Sequence, residues 1–175
     1  MSQPVAIDSI YSGRVIDLGL ETHLLPNGRK APFEIIRHPG GAAVLPILPD
    51  GRLLLIRQFR PAIGQMIYEI PAGRLEPGES PRTCVARELV EEAGFRATEL
   101  FPLGSLWSAV GFCDERVDLF VATGLIETPS APEEDEIIEL EPLTLADALR
   151  LVEQGKILDS KTQIALLRYA RQKES

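Results

Sequence analysis

The chain has 175 residues, a length that suits one domain with a sizeable single core. It is 45% hydrophobic and 25% charged, the balance of a soluble globular protein rather than a disordered or membrane-spanning one. A formal net charge of −8 argues against a nucleic-acid backbone or an anionic membrane as main partner. Cys84 and Cys113 lack metal-type spacing and point to a reduced, cytoplasmic setting. The first residues lack the basic and apolar run of a secretion signal, and no stretch reaches transmembrane length.

Residues 13–24 alternate loosely enough for a strand, Pro26-Asn27-Gly28 is a turn signal, and Ala31 to His38 returns as a second strand. This hairpin reads as an extension, 1–40, ahead of a main domain, 41–175. The apolar run Ala42 to Leu48 predicts a strand buried on both faces. Pro49-Asp50-Gly51 turns the chain into a strand over Arg52 to Arg57, and Met66 to Pro71 is a short extended segment. Ser80-Pro81 starts a helix with a hydroxyl cap and a proline in the first turn. Gly94 ends it. Val85, Leu89 and Ala93 give that helix its apolar stripe. Glu99 to Trp107, Arg116 to Ala122 and Glu136 to Leu140 read as strands, and Leu145 to Glu153 and Ser160 to Arg171 as helices. The order predicts an α+β domain with a layered, mixed β-sheet.

The stretch Gly73 to Phe95 holds the chemistry. Glu88, Glu91 and Glu92 stand at i, i+3 and i+4, which share one face of a helix. Like charges at that spacing repel by a few tenths of a kcal/mol per pair, and a divalent cation is the simplest offset. The alternative is a solvated acidic face. The full run is more specific than these acids. Gly73, Glu79, Arg87, Glu88, Leu89, Glu91, Glu92, Gly94 and Phe95 fill every position of G-x5-E-x7-R-E-U-x-E-E-x-G-U, with U a bulky apolar residue.

That pattern resembles the Nudix box. The resemblance implies an α/β/α sandwich and a Mg²⁺-dependent hydrolase (Mn²⁺ being possible) using two or three ions. Glu88 and Glu92 match the family's main metal ligands, and the Ala72 carbonyl matches another. Glu91 matches a third acid that holds metal or supports catalysis. Arg87 matches a residue that orients these acids, with Glu79 behind them. Outside the box, Arg57-Gln58-Phe59-Arg60-Pro61, Glu69-Ile70-Pro71-Ala72-Gly73 and Gly111-Phe112-Cys113-Asp114-Glu115-Arg116 resemble the ADP-ribose pyrophosphatase and nucleoside-diphosphate-sugar hydrolase branch.

The branch implies substrate contacts from Arg57, Arg60, Phe33, Glu34 and Glu115, a homodimer built on the N-terminal extension, and a general base from a loop acid. Arg57 could instead end a strand in solvent, and Phe33 could be core. Glu136 aligns best as base and Glu134 next, though four adjacent acids also suit a solvated loop. ADP-ribose is the leading substrate. Ala109-Val110-Gly111, where the ADP-ribose group commonly carries Ser-Pro-Gly, leaves GDP-mannose and ADP-glucose open. Further alternatives are a non-sugar nucleotide substrate and a non-catalytic ADP-ribose-binding domain.

Overall fold

The computed structural model describes residues 4–131 and 137–174. They fall into two compact units, Met1–Gly40 with Trp107–Arg116, and Gly41–Leu106 with Val117–Ser175.

In the first unit, β1 (Ala6–Ser12), β2 (Asp17–Leu24) and β3 (Lys30–Arg37) form an antiparallel three-stranded sheet in that order. The expected hairpin is β2–β3. Residues 13–16, read from sequence as strand, are the turn out of β1, closed by Gly13 N–H donating to the Ile16 carbonyl at 2.9 Å. The segment Trp107–Arg116 belongs to this unit. Ile36 N–H donates to the Phe112 carbonyl at 2.7 Å, and Asp114 N–H to the Ile36 carbonyl at 3.2 Å. Side chains reinforce the join. Arg37 grips the buried Glu21 through Nε (2.8 Å) and Nη2 (2.6 Å), and its Nη1 reaches Asp114 Oδ2 at 2.7 Å. Those bonds hold the Glu21 carboxyl below its ordinary range, against the opposing effect of burial.

The second unit is a sandwich. One sheet runs β7 (Ala72–Arg74), β4 (Gly41–Pro46), β9 (Arg116–Glu127), β8 (Phe95–Trp107), with β4 parallel to β9 and antiparallel to β7. The other runs β10 (Ile138–Leu143), β5 (Leu53–Arg60), β6 (Gln65–Glu69), all antiparallel. Every β4 residue is buried, because the strand feeds two cores. Ala43 and Leu45 pack on α2 (Leu145–Glu153) and α3 (Ser160–Lys173), with Leu53, Leu55, Ile157 and Leu166. Ala42 and Val44 face α1 (Pro81–Ala93) through Val85, Leu89 and Ala93. That alternation is the period-two rule of a strand, and it makes the α/β/α layering expected from sequence. Burying Val85 and Leu89 fully stabilises the helix against the sheet by roughly 1.5–3 kcal/mol each.

Both ends of α1 follow from local chemistry. Ser80 is extended and its hydroxyl accepts from Thr83 N–H at 3.1 Å, while Pro81 occupies the first turn. Gly94 takes the left-handed conformation at φ 71°, and its N–H closes on the Val90 carbonyl at 3.0 Å. Among the described residues no helix is long and apolar enough to cross a membrane.

Candidate active site

The site forms where α1 leans on β7. Glu88 and Glu92 occupy successive turns of α1 and are buried, 8% and 5% exposed, on the side facing β7. Glu92 Oε2 accepts the Ala72 N–H at 2.8 Å. Glu88 comes so close to the strand that a Cβ on Gly73 would lie 1.7 Å from its Oε1. The glycine of the box is therefore there for what it lacks.

Arg87 ties the remaining acids together. Its Nε and Nη2 donate to the two Glu79 oxygens at 3.1 Å each, and its Nη1 to Glu88 Oε1 at 2.6 Å and Glu91 Oε2 at 2.9 Å. A further donation from Nη2 to the Arg74 carbonyl, 3.3 Å, fixes the guanidinium to β7. Three carboxylates thus share one guanidinium, and the cluster carries an excess of negative charge. Cys84 registers that field. Burial first, and then the charges of Glu88 and Glu79, push its thiol up to about 12. The Glu79 carboxyl is held below its ordinary range by its hydrogen bonds from Arg87.

The donor set fits a hard divalent cation. It is all oxygen, rich in carboxylate and short of positive charge. Among the described residues no three His, Cys, Asp or Glu side chains converge as ligands around one point. In this arrangement Arg87 holds Glu79, Glu88 and Glu91, while Glu92 Oε2 accepts the Ala72 N–H.

The two strand arginines part company. Residues 57 and 60 are three apart on β5, so they leave opposite faces of the sheet. Arg57 lies over the Tyr68 ring at 5.5 Å and donates to Glu139 Oε2 at 3.1 Å, while its Nε is buried without a partner among the described residues. Arg60 is gripped by Glu69 through Nε (2.6 Å) and Nη2 (2.8 Å). The hydrogen bonds to Glu69 first, with the charges of Glu92 and Asp159 adding to them, hold its guanidinium above its ordinary value against burial. In the first unit, Phe33 is 40% exposed on β3 with its ring edge-to-face with His23 at 6.1 Å, and Glu34 beside it is exposed. Glu115 Oε1 stands 3.6 Å from His38 Nδ1. Glu136 and Glu134 lie outside the described residues.

Sequence reasoning assigned no role to Glu69 or Lys161. Glu69 is 1% exposed and is reached by Arg60 and by Lys161 of α3. The signal available was a charged residue at the buried end of the short extended segment before the box.

A helix carrying paired buried acids against a glycine strand, in an α/β/α sandwich, defines the class of fold and site. Residues 37–162 match the NUDIX domain, and the chain belongs to that family. It is similar to the ADP-ribose pyrophosphatase of Bacillus subtilis (strain 168), 42% identical over 173 residues that cover 98% of this chain and 93% of the relative. It is similar as well to the methanol dehydrogenase activator of Bacillus methanolicus, 41% identical over 93% of this chain and 89% of the relative. A crystal structure of an ADP compounds hydrolase shares the fold, with a TM-score of 0.84 and 22% identity over 99% of this chain and 96% of that one.

Proposed function

We propose that the chain hydrolyses the pyrophosphate of a nucleoside diphosphate sugar, with ADP-ribose as substrate and AMP and ribose 5-phosphate as products. The observation that carries this reading is the surplus of carboxylate on the face of α1 toward β7, in a chain 42% identical to an ADP-ribose pyrophosphatase. Glu88 and Glu92, with Glu91 and the Ala72 carbonyl, would hold Mg²⁺ in two or three sites. When bound, the divalent ions polarise the P–O bonds and neutralise charge developing on the pyrophosphate.

The protein's own residues do the rest. Arg87 aims the acids, since a guanidinium fork fixes carboxylates in plane. Arg60 offers charge-assisted hydrogen bonds to a phosphate oxygen. Arg57 is a second contact in this reading, reached from the other face of its strand. Phe33 and Glu34 hold the base, Glu115 contributes to the substrate loop, and Glu136, or Glu134 beside it, takes the proton from the attacking water.

A homodimer accords with β1, an edge strand whose residues are all exposed and which presents Ile7 and Ile10 at 59% and 58% exposure. A cytoplasmic setting accords with the free thiols of Cys84 and Cys113. Comparison of kcat/KM for ADP-ribose, GDP-mannose and ADP-glucose with Mg²⁺ tests the substrate. ADP-ribose should lead, and a tenfold preference for either rival would reassign it. The Bacillus methanolicus likeness raises a second reading, activation of an alcohol dehydrogenase. Faster dehydrogenase turnover on addition of this protein would support it.

A further inference from the structure

Glu69 spends its two oxygens on two cations from distant parts of the chain. Oε1 accepts from Arg60 Nε at 2.6 Å, and Oε2 accepts from Arg60 Nη2 at 2.8 Å and from Lys161 Nζ. Lys161 is held on its other side by Asp159 Oδ1 at 3.0 Å. Asp159 caps α3, its Oδ2 accepting from Thr162 N–H at 2.9 Å and from the Thr162 hydroxyl at 2.5 Å. The same hydroxyl accepts the N–H of Ile70, the residue after Glu69, at 2.9 Å. The first turn of α3 therefore grips the end of β6 twice, once by charge and once through the backbone. Two residues on, Ala72 N–H bonds to Glu92.

This grip decides how Arg60 is presented. Glu69 takes the Nε–Nη2 edge of the guanidinium and leaves Nη1 without a partner among the described residues, on a side chain 39% exposed. Glu69 itself is 1% exposed, so its carboxylate can keep this aim only while it is itself held. A second cation on Oε2 does that, and shares the negative charge that would otherwise sit wholly on Arg60. Burial opposes the charge on Lys161, but Asp159 and Glu69 more than offset it and keep the ammonium protonated.

We propose that Lys161, acting through Glu69, is a positioning residue that fixes the guanidinium of Arg60 with Nη1 turned out to receive a phosphate oxygen of the substrate. The inference rests on the pyrophosphatase reading and deepens it, placing part of substrate affinity in α3, outside the Gly73–Phe95 stretch. It predicts an effect on binding that passes entirely through Arg60.

The test is a double-mutant cycle read by calorimetric titration of ADP-ribose in EDTA, where no turnover occurs, alongside KM and kcat with Mg²⁺. Lys161→Met should weaken binding by about 10-fold, within the coupling range of residues in one ionic network. It should raise KM by a similar factor and leave kcat within about 2-fold, the pattern of lost uniform binding. On an Arg60→Ala background the same change should add nothing. Lys161→Arg should restore most of the affinity, and Lys161→Gln serves if the methionine variant does not fold. Equal affinity in wild type and Lys161→Met, or an undiminished Lys161 effect without Arg60, would overturn this inference alone. Failure of the wild type to bind or hydrolyse ADP-ribose would overturn the parent reading and this inference with it.

Discussion

Gly73→Ala is the sharpest perturbation the site offers. The new Cβ would stand 1.7 Å from Glu88 Oε1, 2.1 Å from its Cδ and 2.9 Å from its Cγ, all below the 3.0 Å that side chains respect. Backbone and carboxylate cannot both stay. The carboxylate must retreat by roughly 1 Å or more, and at 8% exposure Glu88 has little room to do so. Overpacking of this kind costs about 1–3 kcal/mol, which for a chain of this size lowers Tm by roughly 2–12 °C. A misplacement of about 1 Å in a reacting constellation costs on the order of 10²-fold in rate. Thermal melts should show the loss of stability, and Mg²⁺ titration of hydrolysis should show both a lower kcat and a higher half-saturating metal concentration. The double variant Gly73→Ala/Glu88→Ala isolates the cause, because the clash partner is gone and the alanine should then cost little in Tm beyond Glu88→Ala alone. An unchanged Tm and metal response in Gly73→Ala would refute the close approach as the reason for the glycine.

Three further outcomes follow from the same contacts. Glu92→Gln keeps an acceptor for the Ala72 N–H, so Tm should hold while kcat falls by more than about 100-fold; an unfolded variant would make Glu92 structural. Ser80→Ala removes the cap on Thr83 N–H and should cost about 1 kcal/mol, or roughly 2–4 °C in Tm, with kinetics of the folded fraction unchanged. Because Arg87 holds the Glu79 carboxyl below its ordinary value, the folded chain binds that proton less readily than the unfolded one. The stability this gives is complete above about pH 4.3 and is lost as pH falls through the lowered folded value. Tm of wild type should therefore drop toward that of Glu79→Gln on acidification from pH 5 to 3, and parallel curves would contradict the assignment.

How much of this was legible in the sequence varies with the range of the interaction. The helix Pro81–Ala93 and its caps follow from neighbours within four residues, so Ser80 and Gly94 could be read directly. The double burial of Gly41–Pro46 showed as an unbroken apolar run. The strand Ala6–Ser12 did not show, because all of its residues are exposed and it exists by pairing with Asp17–Leu24 rather than by burying a face. The sequence reading took Arg57 and Arg60 as a pair. The period of a strand separates them, and their partners Tyr68 and Glu69 leave the next strand on opposite faces too. Lys161 lies 92 residues from Glu69, and Arg37 lies 77 from Asp114. Such contacts are set by how helices and loops pack back on the sheets, which no local pattern encodes.

Phosphorus NMR of ADP-ribose incubated with the protein and Mg²⁺, with and without EDTA, tests the central claim most directly. The pyrophosphate signals should give way to two monophosphate signals, those of AMP and ribose 5-phosphate, and should persist when EDTA removes the metal. Intact pyrophosphate signals in the presence of folded, Mg²⁺-binding protein would contradict the account.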